Sequence, residues 1–168
     1  NRKRPTHKRP PVGIIPASPD PMETVPAVQI LEDPAFDAAA LNTPEISDFC
    51  SSSDWALTAN ALLHGNRREV IVVRPAEGHW MAFAGGPLWG YPWIWQPLEL
   101  QWAFASPLLG PDSALLVDAL SDFLRRQPEE RRLAVLGGIP EDGQLYWQCV
   151  KRLHHRLHMP PDGLGKWL

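Results

Sequence analysis

The chain has 168 residues, 44% of them hydrophobic, which suits one folded domain with a tail and excludes disorder throughout. Its formal charge of −3 is unevenly placed: residues 1 to 10 hold Arg2, Lys3, Arg4, Lys8 and Arg9 with no acid, leaving 11 basic against 19 acidic residues, or −8, in the remainder. An acidic body argues against a general nucleic-acid surface and leaves the basic arm as the one place for such contact.

Residues 1–26, NRKRPTHKRPPVGIIPASPDPMETVP, are rich in proline and polar residues and read as an extended arm, because they cannot bury enough apolar area to offset their ordering entropy. The apolar GIIP at 13–16 is a docking point for a partner or for the domain itself. The domain begins at AVQILED, 27–33, read as a first strand ending at Asp33-Pro34. Thr43 as N-cap, Pro44 at the first helical position and Glu45 in the first turn predict a short helix carrying Ile46, Phe49 and Cys50. A second helix is expected from Asp54, with Trp55, Ala59, Leu62 and Leu63 as its core face and Gly65 as its cap.

EVIVVR at 69–74 and WMAFA at 80–84 predict a β-hairpin joined by the five-residue loop PAEGH. GGPLWGYP reads as a loop. The alternation of Leu98, Leu100, Trp102 and Phe104 with Glu99, Gln101, Ala103 and Ala105 then predicts a strand over 98–105, with Trp102 and Phe104 in the core and Glu99 and Gln101 lining a cleft. PDSALLVDALSDFL predicts a helix capped by Asp112 or Ser113, with Leu116, Ala119, Leu120, Phe123 and Leu124 facing inward. RRLAVLGGI implies a buried strand at 132–139, and a last helix carries Leu145, Cys149, Val150, Leu153 and Leu157. Residues 159–168 form an irregular exit.

Cys50 and Cys149 stand far apart and outside CxxC spacing, so they read as reduced thiols. His154 and His158 have the i, i+4 spacing of a metal pair, but they lie among Lys151, Arg152 and Arg156 with no HExxH motif, and no metal site is assigned. There is no signal-peptide core and no run of about 18 apolar residues, so no membrane span is expected and a cytoplasmic location follows. The sequence starts at Asn1 rather than Met, so it reads as a piece of something longer.

The expected order, β-α-α-β-β-β-α-β-α in a mixed α/β sheet, resembles that of the Gcn5-related N-acetyltransferase (GNAT) fold over residues 27–158. WQPLELQWAFASPLLGPDSALLVDALSDFL followed by RRLAVLGGIPEDG is similar to the first half of the tandem acyltransferases called BioF2-like or CelD-like, relatives of the FemABX transferases. The resemblance implies a single GNAT-like domain whose fourth strand parts from its neighbour to admit the pantetheine arm of acetyl-CoA or another acyl-CoA. Leu108, Leu109, Gly110 and Ser113 would then meet the pyrophosphate.

The GNAT loop pattern, Arg or Gln, two residues, Gly, one residue, Gly or Ala, is broken here by Pro107 and Asp112. Pro111 removes an N–H and Asp112 adds repulsion. Tyr146, Glu99 and His79 have acid–base chemistry, but no catalytic residue is assigned. Two readings stand: a non-catalytic or supporting half that binds a protein partner or a second GNAT-like domain, with Trp89, Trp93 and Trp95 as contact candidates, or an acyl-CoA-dependent N-acyltransferase acting on an amine.

Overall fold

The computed structural model of the protein describes residues 23–25, 33–64 and 68–153. Their order is β1 (Glu23–Val25), α1 (Pro34–Leu41), α2 (Asp48–Ser51), α3 (Ser53–His64), β2 (Glu69–Ala76), β3 (His79–Leu88), β4 (Tyr91–Pro97), β5 (Leu108–Leu109), α4 (Ser113–Arg126) and α5 (Gln144–Leu153), with a 3-10 turn at Glu129–Arg131 before α5. The fold is mixed α/β. An antiparallel sheet runs β1-β2-β3-β4, and β5 pairs the same edge of β3 as β4. The strand expected at 27–33, the Gly65 cap, His154, His158, Leu157 and the exit at 159–168 lie outside the described residues, apart from Asp33. Three residues of the segment read as an arm pair with β2 as β1.

Period-two alternation along β3 decides how the layers pack. Met81 and Phe83 join Val73, Trp95 and Leu108 against Leu116, Val117, Leu120 and Phe123 of α4 and Leu145, Cys149 and Leu153 of α5. Trp80, Ala82 and Ala84 face the other way, with Val72 and Leu109, onto Phe36, Ala39 and Ala40 of α1 and Ala56 of α3. Helices therefore cover both faces, which is why β3 is buried from His79 to Gly86. Phe123 ties the first core together, its ring stacked on Phe83 at 5.8 Å and edge-on to Trp95 at 5.4 Å.

Several local expectations are corrected. Asp33-Pro34 starts a helix not expected from the sequence: the Asp33 carboxylate accepts the Ala35 N–H at 2.9 Å and Pro34 occupies the first turn. Thr43 does not cap the next helix; Ser47 does, and Glu45 sits between them at φ 69°. The buried face of α3 is Ala56, Ala59 and Asn60, so Leu62, at 81% exposure, and Leu63 point outward. The β2–β3 hairpin closes through Glu77-Gly78 alone, Ala76 pairing with His79.

The largest correction concerns the fourth strand. Residues 91–97, not 98–105, pair with β3, joined to it by a two-residue turn in which both Trp89 (φ 49°) and Gly90 (φ 85°) are left-handed. Positive φ at both positions suits the right-handed twist of a hairpin. Pro97 pairs with Phe83, and the next position along β3, Ala82, donates its N–H to Pro107 at 3.0 Å. Residues 98–106 are thus extruded from one strand line that resumes at β5. The strand expected over 132–139 is reduced to a parallel bridge between Trp95 and Ala134.

Candidate functional site

The extruded loop is built around Glu99. Its side chain has no solvent exposure, and its carboxylate accepts the Trp102 N–H at 2.6 Å and the Phe104 N–H at 3.3 Å. A buried carboxylate needs such donors, and two amides of its own loop supply them. Gln101, by contrast, is exposed. The alternation that predicts a strand here is broken at Ala103, whose φ is 56°. Beneath it, the Gly138 N–H donates to the Ala103 carbonyl at 2.8 Å. Gly138, at φ 63°, leaves no room for a side chain: a Cβ would lie 2.5 Å from the Phe104 oxygen and 2.6 Å from the Ser106 nitrogen.

Loop 106–113 places Leu108, Leu109, Gly110 and Ser113 together, all four buried. Four of its N–H groups are engaged by side chains of the same chain. Ser106 donates to Ser51 Oγ at 3.0 Å, Leu108 to Ser106 Oγ at 3.2 Å, and Gly110 to Thr43 Oγ1 at 2.6 Å. The Asp112 N–H donates to His79 Nε2 at 3.2 Å. The other ring nitrogen lies 2.8 Å from the Glu77 carbonyl, which fixes the imidazole with Nδ1 protonated and Nε2 accepting. The Asp112 carboxylate caps α4 by accepting from Ala114 at 2.9 Å and Leu115 at 3.0 Å.

The three tryptophans expected to meet a partner are separated. Trp89 is exposed at the hairpin turn, Trp93 is half-buried under the Arg131 guanidinium at 3.9 Å, and Trp95 is a core residue at 1% exposure. Gly85 makes room for the last two, since a Cβ there would meet both rings within 3 Å. Tyr146 is half-buried on α5, edge-on to Trp147.

A different set of rings is brought together instead. Trp102 lies 5.8 Å from Trp55, and Trp55 lies 5.3 Å from Phe49, in a continuous row from the extruded loop across α3 to α2. Phe49 is 64% exposed and Trp102 47%, while Phe104, two residues on, is 57% exposed. The sequence points these rings inward, Trp102 by period-two alternation and Phe49 and Trp55 by apolar helical spacing. What distinguishes them is that each follows an exposed acid, Asp48 and Asp54, in a helix whose buried positions are small.

On the sheet face toward α3, Gln96 has no exposure and its amide nitrogen and oxygen lack partners, as does Asn60 Oδ1. Burial lowers the Arg68 guanidinium below its ordinary value. Among the described residues no group of three His, Cys, Asp or Glu could hold a metal ion, and no helix is long and apolar enough to cross a membrane. Cys50 and Cys149 are both free thiols. No family model, curated protein or solved structure matches the chain.

Proposed function

We propose that the chain is a GNAT-like domain with a degenerate acyl-CoA loop, serving as a non-catalytic or supporting half that holds a protein partner or a catalytic half. The observation that carries this reading is the hydrogen bonding of loop 106–113. Pyrophosphate is held by several backbone N–H groups at a helix N-terminus. Here the amides of Ser106, Leu108, Gly110, Asp112, Ala114 and Leu115 already have acceptors, and the Asp112 carboxylate occupies the end of α4 where an anion would approach.

The space a pantetheine arm would need gives further support. In a GNAT-like sheet it enters where the fourth strand parts from its parallel neighbour. Past the Trp95–Ala134 bridge, Pro97 and the backbone of 103–106 fill that space against Gly137 and Gly138. The row Phe49–Trp55–Trp102, exposed at its two ends and half-buried at Trp55, then supplies a contact face of the kind that aromatic-rich interfaces use.

The test is titration calorimetry with acetyl-CoA, together with acyl-transfer assays over a panel of amines. No heat of binding and no transfer are expected. Micromolar binding of acetyl-CoA would overturn the reading in favour of an N-acyltransferase.

A further inference from the structure

We infer that the Phe49–Trp55–Trp102 row is the docking site for the chain's own proline-rich basic segment, residues 1–22, folded back onto the domain. The inference rests on reading the chain as a binding module and names the site and the chemistry it accepts.

The row has the physical form that extended proline-rich segments use. Proline rings pack on flat aromatic faces, and the polyproline conformation arrives with little ordering cost, so a row of tilted rings on a rigid base can hold it. Trp55–Trp102 and Phe49–Trp55 are tilted by 40° and 39°, a stepped surface rather than one flat plane. The base is held by the Glu99 carboxylate, which accepts the Trp102 N–H, and by the Gly138 N–H, which donates to the Ala103 carbonyl.

Charge selects the occupant. Asp48 and Asp54, both exposed, adjoin Phe49 and Trp55 in sequence, and the chain beyond residue 10 carries −8. Residues 1–22 contain Pro5, Pro10, Pro11, Pro16, Pro19 and Pro21, with Arg2, Lys3, Arg4, Lys8 and Arg9 at their head and Asp20 as the lone acid. Lys8-Arg9-Pro10-Pro11 places two cations directly before two prolines, as an acid-flanked aromatic row requires. GIIP at 13–16 adds an apolar stretch to lie along the remaining ring surface.

Reach is sufficient. β1 enters the sheet opposite the extruded loop: Val25 pairs Val72, Val72 pairs Ala82, and Ala82 bonds Pro107 at the loop's return. Three strand spacings amount to about 14 Å. The twelve residues from Pro11 to Glu23 can extend to about 40 Å, more than twice that distance to the loop's return.

The experiment uses the full chain carrying Cys50→Ser and Val12→Cys, with a nitroxide on Cys at position 12; Cys149 stays unlabelled because it is buried. Paramagnetic broadening of the tryptophan indole N–H signals in NMR spectra is the readout. Loss of the Trp55 and Trp102 signals is expected, with those of the exposed Trp89 and Trp147 retained, and the Asp48→Lys/Asp54→Lys double variant restores both lost signals. Equal broadening of all exposed indoles, or none, would overturn the inference. Transfer of the effect to isotope-labelled chains mixed with nitroxide-bearing unlabelled ones would also overturn it, by showing that the occupant is a second copy. Acetyl-CoA calorimetry decides the parent reading separately, because no ring of the row belongs to loop 106–113.

Discussion

Replacing Gly138 by alanine tests whether the extruded loop is held as described, and Gly78→Ala supplies the control. Both glycines have left-handed backbone, φ 63° and φ 67°, so both substitutions incur the conformational penalty of about 1 kcal/mol. They differ in what the new methyl group meets. At Gly78 nothing lies within 4 Å, whereas at Gly138 a Cβ would sit 2.5 Å from Ala105 C and Phe104 O and 2.6 Å from Ser106 N, all backbone atoms. Relief requires the loop to move, stretching the Gly138–Ala103 hydrogen bond and the two amides held by Glu99. Overpacking costs about 1–3 kcal/mol and one lost hydrogen bond about 1 kcal/mol. Gly138→Ala should therefore cost about 3–5 kcal/mol and Gly78→Ala about 1 kcal/mol in urea unfolding. Should the loop lift off while the domain stays folded, the energy appears instead as faster hydrogen exchange of the Trp102 and Phe104 amides. Equal losses of about 1 kcal/mol at both glycines, with the Trp102 amide as protected as in the parent, would refute the reasoning.

The Glu45 carboxylate accepts the Gln144 N–H at 2.7 Å, capping α5 from 99 positions away in sequence, so Glu45→Ala should lower unfolding free energy by about 1 kcal/mol, while Glu45→Asp, one methylene shorter, recovers part of it. Thermal unfolding of the three proteins checks this; an unchanged midpoint in Glu45→Ala would remove the cap. Burial pushes the Cys149 thiol from 9.0 up to about 11. Between those values the unfolded chain binds fewer protons than the fold, so this contribution to stability is whole below pH 9 and is lost as pH rises towards 11, by on the order of 2 kcal/mol. Urea unfolding across that range should show a shallower alkaline decline in Cys149→Ala than in the parent; parallel curves would argue against a buried neutral thiol.

Where one signal dominates, the fold is legible from sequence. EVIVVR and WMAFA, β-branched and alternating, become β2 and β3, and Asp112 before SALLVDALSDFL caps α4 with Leu116, Leu120 and Phe123 inward. Legibility fails where two local signals compete. Asp33-Pro34 reads as a strand ending, yet it also opens a helix, capped by Asp33 and packed on the sheet through Phe36, Ala39 and Ala40. YPWIWQP has prolines at positions 92 and 97, which obscure a strand; Ile94, Trp95 and Gln96 are buried on β3 regardless. The candidate site is the least legible part. Its rings come from Phe49, Trp55 and Trp102, and no pattern within one segment indicates that α2, α3 and the loop converge.

The misreading of 98–105 has a physical cause that also bears on function. Apolar and polar residues alternate there as in a strand, but Glu99, whose side should be wet, is buried together with Leu98, and Trp102 and Phe104, whose side should be dry, are exposed. A strand cannot invert its faces in this way. A loop can, once a carboxylate turns inward to collect its own amides and Ala103 adopts left-handed backbone. Two aromatic rings are thereby exposed, above a backbone held by the Glu99 carboxylate and the Gly138 N–H. Trp102 and Phe104 keep about half of their surface in water, so covering them would add apolar burial that the monomer lacks. The nine residues extruded between Pro97 and Pro107 thus set the backbone of 104–106 against Gly138 and carry Trp102 out to Trp55 and Phe49, the row on which the proposed docking rests.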